Sequence, residues 1–259
     1  MAFECVEICG FDIAVATQSE IVDYIVDQAR SAKGGWLITV NSDHLRQCQS
    51  DLGVRDLLMD SDVLVADGMP LVWASCLRGK SLPERVAGSD LIWSLSMAAS
   101  IANLPIFLLG GDDGVAEGAS VVLKEKIPEL SISGVYCPPF GFENSEFELS
   151  RIRGEIISAG CTAICFVALS FPRQDYLIQK LRSDFAGVWF IGVGISFSYI
   201  SGAVPRAPLW MRRIGLEWLH RLVFDFRRLF FRYVWFGIPF VLGLLLSSVR
   251  SRLMVSRDV

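Results

Sequence analysis

Between Trp36 and Gly88 the chain runs twice through an apolar stretch into a short polar turn and then into helical spacing. Trp36-Leu37-Ile38-Thr39-Val40 stops at Asn41-Ser42-Asp43, whose short polar side chains suit the start of a helix near His44. Val63-Leu64-Val65-Ala66 stops at Asp67-Gly68-Met69-Pro70, which again reads as strand, turn and helix start. If the two strands are parallel neighbours, Thr39, Asn41 and Asp67 emerge together at the carboxyl edge of one sheet, where open α/β folds bind ligands. A carboxylate there can act as a base. Arg85, in the turn-rich segment Pro83-Glu84-Arg85-Val86-Ala87-Gly88, can neutralise an anion brought to the same edge.

The rest of the first 200 residues repeats the pattern. Residues 3–8 and 13–15 alternate on either side of Cys9-Gly10-Phe11-Asp12, as in a hairpin. Thr17-Gln18-Ser19-Glu20 has the spacing of a capping box, and Ile21, Ile25 and Ala29 follow at helical intervals. The spacing predicts a helix over 90–102, a strand over 105–109 entering Gly110-Gly111-Asp112-Asp113-Gly114, and a helix over 115–126. A strand over 130–136 follows and ends at Pro138-Pro139-Phe140-Gly141, and then a helix over 146–159 and a buried strand over 163–169. Ser170-Phe171-Pro172-Arg173-Gln174-Asp175 opens a further helix, and a last strand over 188–193 ends at Gly194. Strands alternating with helices predict an α/β fold with a Rossmann-like, mostly parallel sheet flanked by helices, occupying residues 1–202.

From residue 203 onward the character changes, and the net charge of −4 conceals the shift. Beyond residue 200 stand ten arginines against three acids, Glu217, Asp225 and Asp258, a net of +7, while the first 200 residues carry 14 basic and 25 acidic groups, a net of −11. An acidic body with a basic appendage over 203–259 fits contact with anionic lipid, phosphate or nucleic acid. Leu222, Phe226, Leu229 and Tyr233 form an apolar helical stripe, with Arg221, Asp225, Arg228 and Arg232 at the same spacing on another face. The 52% hydrophobic composition and mean hydropathy of +0.44 are high for a freely soluble chain, and residues 234–246, wholly uncharged, account for the excess. A bilayer span takes about 20 apolar residues. This run is shorter, carries Gly237, Pro239 and Gly243, and is flanked by arginines, which predicts a segment lying in the interface or dipping into it.

Seven scattered cysteines read as reduced thiols of a cytoplasmic protein, and no pair has zinc-site spacing. The first residues lack the basic region and long apolar stretch of a secretory signal, so export is not expected. Gly110 and Gly111, between strand and helix, can present backbone amides to a diphosphate, or form a plain tight turn. Gly192-Val193-Gly194 is nearer the dinucleotide fingerprint, but Phe197 takes the third glycine position, which weakens a nicotinamide-cofactor reading. Asp60-Ser61-Asp62 matches the acidic motif of metal-dependent sugar transferases, yet it precedes its strand and falls on the wrong edge. His44 and His220, the two histidines, have no second ligand at metal spacing and read as structural.

As a set these segments resemble the WecG/TagA/CpsF family of bacterial glycosyltransferases over nearly the whole chain. The resemblance is carried by Thr39-Val40-Asn41, Ala66-Asp67-Gly68, Pro83-Glu84-Arg85-Val86-Ala87-Gly88, Leu108-Leu109-Gly110-Gly111, Pro172-Arg173-Gln174, Gly192-Val193-Gly194, Arg206-Ala207-Pro208 and Gly215-Leu216-Glu217-Trp218-Leu219-His220-Arg221. It implies a GT-E type fold and transfer of a hexose-type sugar (N-acetylmannosamine, its uronic acid or glucose) from a UDP-sugar to a polyprenyl-diphosphate-linked sugar. Inversion at the anomeric carbon, no metal and no other cofactor are implied with it. So are a place on the cytoplasmic face of the membrane, homo-oligomers, and lipid and phosphate rather than nucleic acid as partners of the tail.

Within that frame Asp67 is the expected base, Thr39 and Asn41 orient sugar or acceptor, and Gln174 binds substrate hydroxyls. Arg85, with Arg206, Arg221, Arg228 and Arg232 from the tail, would steady the diphosphates beside Gly110, Gly111, Gly192 and Gly194. Three departures stand out. Ser170-Phe171-Pro172-Arg173-Gln174-Asp175 replaces the family's usual Gly-x-Pro-Lys-Gln-Glu, Ser198 stands where an aspartate is common, and Phe226 replaces a frequent proline, which predicts a less interrupted arginine helix.

Overall fold

The alternating apolar runs close into a six-stranded sheet in which each neighbouring pair is parallel. The computed structural model describes residues 2–255 and, within them, leaves out the side chains of Arg228, Met254 and Val255. A separate hairpin of β1 (Cys5–Ile8) and β2 (Phe11–Ala14) comes first, turning on Cys9 and Gly10, so β2 starts two residues earlier than the alternation predicts. Helix α1 (Gln18–Arg30) follows, with Thr17 and Glu20 closing the expected capping box.

The sheet is built from β3 (Gly35–Val40), β4 (Val63–Ala66), β5 (Ile106–Gly110), β6 (Ile132–Tyr136), β7 (Ile164–Ala168) and β8 (Trp189–Gly192), in the spatial order β4-β3-β8-β7-β5-β6. Helices α2 (Ser42–Ser50), α3 (Leu52–Asp60), α4 (Met69–Arg78), α7 (Glu146–Ser158) and α8 (Arg173–Leu181) bury their apolar faces on one side. On the other side lie α1, α5 (Gly88–Ile101), α6 (Val115–Lys126) and the short α9 (Ser196–Ile200). Because both faces are covered, β3, β5, β7 and β8 read as nearly unbroken apolar runs.

Connections leave the carboxyl edge in opposite directions. β7 feeds α8 on the first face, while its neighbours β5 and β8 feed α6 and α9 on the second. Crevices open where adjacent connections diverge in this way. The β3–β4 ladder runs on to Val40 opposite Ala66, but the β3–β8 ladder stops at Leu37 opposite Ile191, so the end of β3 parts from β8. The start of α5 enters that gap. A Cβ on Gly88 would sit 3.3 Å from Thr39 Oγ1 and 3.5 Å from the Gly192 carbonyl oxygen, an approach only glycine makes comfortably.

The remaining chain forms α10 (Leu209–Arg213), α11 (Glu217–Phe224), α12 (Phe226–Phe230), a π-helical turn over Phe231–Gly237, and α13 (Ile238–Val255). The arginine helix is broken at Asp225, at φ −136° and ψ 53°, contrary to the reading that phenylalanine in place of proline leaves it less interrupted. The break takes the apolar stripe apart: Leu222 and Leu229 are buried, whereas Phe226 is exposed. Residues 231–253 continue as one apolar helical rod of 23 residues, longer than the uncharged run alone, because the π-helical turn carries the helix into Pro239. A wider turn relieves the clash of a proline ring with the carbonyl four residues back. Helix α13 lies along α4, with Leu244 and Ser248 buried and Arg78 Nε donating to Ser248 Oγ at 3.4 Å. The other face of the 231–253 rod, including Trp235, Leu242, Leu246 and Leu253, is exposed.

Candidate active site

The parallel pairing of β3 with β4 brings Thr39, Asn41 and Asp67 to one edge, and the Asp67 amide donates to the Val40 carbonyl at 2.7 Å. Val86 donates to the Ala66 carbonyl at 2.8 Å, which draws the Pro83–Gly88 segment along the strand ends and sets Arg85 beside Asp67. Thr39 is buried, with its hydroxyl against Gly88. Asn41 is the N-cap of α2: its Oδ1 accepts from the Asp43 and His44 amides at 3.0 and 3.2 Å, and its amide nitrogen lies 3.3 Å from His44 Nε2, which leaves one of its two hydrogens for another partner.

Asp67 is in an unusual setting. Its side chain is partly accessible, yet protein surrounds it closely, and burial pushes its proton affinity up to about 7. Arg85 and Arg221 pull the other way and Glu217 and Asp90 reinforce the rise. Among the described residues no hydrogen bond reaches its carboxylate. Such a group is half-ionised near neutrality and can take up a proton there.

The arginines are less interchangeable than their spacing suggests. Arg85 donates to Glu217 Oε2 at 3.0 Å and to Asp90 Oδ2 at 3.3 Å. Arg206 is held by Ser89 Oγ at 2.7 Å, by Asp90 at 2.8 Å and by Glu217 at 3.4 Å, and Arg212 reaches Asp90 at 3.1 Å. Arg232 lies apart, paired with the buried Asp43 at 2.7 Å. Arg221 makes no carboxylate pair among the described residues and lies in the electrostatic reach of Tyr199, Tyr233, Glu217 and Asp67. The side chain of Arg228 falls outside the described residues.

Gln174 is buried and bridges two elements: its Oε1 accepts from the Gly194 amide at 3.1 Å, and its amide lies across Gly192, where a Cβ would come within 2.3 Å of Nε2. Gly110 and Gly111 both adopt positive φ, 97° and 89°, at the end of β5, and the Gly111 amide is taken by the Ala168 carbonyl at 2.7 Å. That amide is therefore not open to a diphosphate in this arrangement. Burial holds His44 down to about 3, so it is neutral near pH 7, and its ring stacks on Phe171 at 3.9 Å.

Asp60 and Asp62 stand at the amino edge. Asp62 pairs with Arg182 at 2.9 Å and accepts from the Trp36 amide at 2.8 Å, beside a hollow of about 450 Å³ lined also by Gly34, Gln179 and Phe185. That hollow is remote from Asp67. Among the described residues no group of three histidine, cysteine, aspartate or glutamate side chains is disposed to hold a metal ion. Three residues central to the carboxyl edge were not singled out by spacing: Asp43, Asp90 and Glu217. Glu217 carried two weaker signals, its place in the Gly215–Arg221 segment and its rarity as an acid inside a tail rich in arginine.

The sequence profile described as "Glycosyl transferase WecG/TagA/CpsF family" matches residues 6–253. The chain belongs to that family. This glycosyltransferase is 30% identical over 208 residues to the N-acetylglucosaminyldiphosphoundecaprenol N-acetyl-beta-D-mannosaminyltransferase of Bacillus subtilis (strain 168), covering 80% of this chain and 78% of the relative. Similarity to the enzymes of the same name from Bacillus spizizenii (strain ATCC 23059 / NRRL B-14472 / W23) and Staphylococcus aureus (strain MRSA252) is 31% over 191 residues and 26% over 226 residues. The first covers 74% of this chain and 72% of the relative, the second 86% of each.

Proposed function

We propose that this glycosyltransferase moves a hexose-type sugar from a UDP-sugar to a polyprenyl-diphosphate-linked sugar, with inversion and without a metal ion. The relatives' names, which specify N-acetylmannosaminyl transfer to N-acetylglucosaminyl-diphosphoundecaprenol, favour N-acetylmannosamine as the donated sugar and cell-surface polymer synthesis as the setting. The observation that carries the reading is Asp67: a carboxylate at the carboxyl edge with proton affinity near neutrality, no direct pair, and guanidinium groups around it.

In this reading Asp67 takes the proton of the acceptor hydroxyl as its oxygen attacks the anomeric carbon. The bond to UDP breaks on the opposite face, which inverts the centre. UDP leaves as an anion, and Arg221, which makes no carboxylate pair among the described residues, is best disposed to stabilise it. Arg85 and Arg206 shape the site through their ion pairs, and Gln174 holds the Gly192–Gly194 turn against which substrate would rest. Thr39 and the Asn41 amide orient substrate hydroxyls. The exposed apolar face of the 231–253 helix and its arginines support attachment to the cytoplasmic face of a membrane, where a lipid-linked acceptor resides, and self-association there.

The test is a panel of UDP-sugars offered with a lipid-linked diphosphate sugar, with and without a chelator, following UDP release. Release with UDP-N-acetylmannosamine, unchanged by chelator, is expected. Absence of release from every donor removes the proposal, and inhibition by chelator removes metal independence.

A further inference from the structure

The C-terminal segment brings a carboxylate to the site as well as arginines. Glu217, on α11, lies 132 residues beyond Arg85 in the chain and has 15% of its side chain exposed. Its Oε2 accepts from Arg85 Nη1 at 3.0 Å and its Oε1 from Arg206 Nε at 3.4 Å. On the other side, Asp90 Oδ2 accepts from Arg85 Nη2 at 3.3 Å. Both terminal nitrogens of Arg85 are thus held by carboxylates, and neither is Asp67, whose attraction for the guanidinium acts through space.

A guanidinium beside a desolvated carboxylate gains most by closing on it, because a charge-assisted bidentate pair is among the strongest contacts open to either group. Something must hold Arg85 back. We infer that Glu217 is a positioning residue that draws Arg85 towards α11, keeps the guanidinium off Asp67, and so preserves that carboxylate as a free base. The inference rests on the reading of Asp67 as the base. It also gives the tail a second role, in which docking of α11 arms the site by diverting a cation, in addition to supplying one.

The charged groups facing Asp67 are Arg85 from the segment before α5, Asp90 from α5, and Glu217 and Arg221 from α11. The two acids raise its proton affinity and the two arginines lower it. Replacing Glu217 by Gln removes one raising charge and frees Arg85 to pair with Asp67, and both changes act in the same direction. The Asp67 carboxyl of E217Q should therefore titrate about one unit or more lower than in the wild type. The acid limb of kcat/KM against pH should move down with it, while kcat falls about tenfold and the donor KM changes by less than about threefold. A residue that acted only through its charge and the docking of α11 would shift the Asp67 titration in E217Q but leave it in place in E217D, which keeps the charge.

The experiment is a carbon-13 carboxyl titration of Asp67 in the full chain, in wild type, E217Q and E217D, with thermal melting as the check of folding. Glu217→Asp keeps the charge but shortens the reach by one methylene, so its titration should fall between the other two, and it serves alone if E217Q does not fold. A titration of folded E217D within about 0.3 unit of wild type overturns the inference, whatever E217Q shows. Because the titration needs no turnover, its failure is separate from failure of the base reading, which full activity in D67N would bring down by itself.

Discussion

The two edges of one sheet carry the same kinds of residue in opposite states. At the amino edge, Asp62 meets Arg182 at 2.9 Å and the Trp36 amide at 2.8 Å, and 43% of its side chain is exposed, so its charge is met from both sides and by water. At the carboxyl edge, Asp67 sits among two arginines and two acids without pairing directly to any, in surroundings that raise its proton affinity to about 7. The difference is not the supply of cations, since arginine is nearby in both places. It lies in where those cations are held. Arg182 is free to close on its carboxylates, whereas Arg85 is already committed to Glu217 and Asp90. An incompletely satisfied charge costs stability, and a fold retains one where it does chemistry.

The largest expected effect follows at once. Asp67→Asn should lower the rate of UDP release by about 10²- to 10⁴-fold, the usual contribution of a positioned general base. The melting temperature should hold or rise, because a poorly solvated charge has been removed. A rate within about tenfold of wild type would erase the contrast between the edges.

The contrast also predicts a pH dependence of stability, with a sign opposite to that of a salt-bridged acid. Burial raises both Asp67 and Asp175 to about 7 from an ordinary 3.8. The folded state therefore binds more protons than the unfolded state between the two values, and stability falls as pH rises from about 4 to about 7, then levels off. One carboxyl so displaced costs at most about 4 kcal/mol above pH 7. Asp175 lies in the first turn of α8, wholly buried, with neither oxygen in good hydrogen-bond geometry, and the weak pull of Gln174 and of its own backbone amide does not offset the burial. Asp175→Asn should accordingly stabilise the protein by about 2 kcal/mol at pH 8, less than the bound because a buried amide also lacks partners, and give no gain at pH 4. Denaturant melts at the two pH values check it. An equal effect at both would mean that Asp175 is not held protonated by its surroundings.

The fold was legible because each strand, covered on both faces, left an apolar run in the sequence, and each turn carried its own polar or glycine signature. The gathering of Thr39, Asn41, Asp67 and Arg85 at one edge was legible for the same reason, since parallel pairing sends every strand end the same way. What each side chain does there was not. The hold of Gln174 on Gly194 and the pairing of Arg232 with Asp43 depend on distances between side chains that periodicity does not carry. The Arg85–Glu217 pair spans 132 residues, and an arginine count alone cannot tell a committed guanidinium from a free one. Helical spacing likewise passed through Asp225 without sign of the break, because both flanking pieces keep the same period.

The smallest expected effect belongs to the amino edge and tests the contrast from the other side. Asp62→Asn breaks the exposed contact with Arg182, but the new amide can still accept from the Trp36 amide through its oxygen. Exposed ion pairs contribute about 0.2–1 kcal/mol, and salt screens them further, so a loss of about 0.5 kcal/mol or less in a denaturant melt is expected. UDP release should stay within about twofold of wild type with or without added magnesium, since the acidic pair stands on the edge away from Asp67. A loss of rate comparable to that of Asp67→Asn would place chemistry in the hollow beside Gly34 and Gln179, and would make the amino edge, with its metal-type acidic motif, the site to pursue.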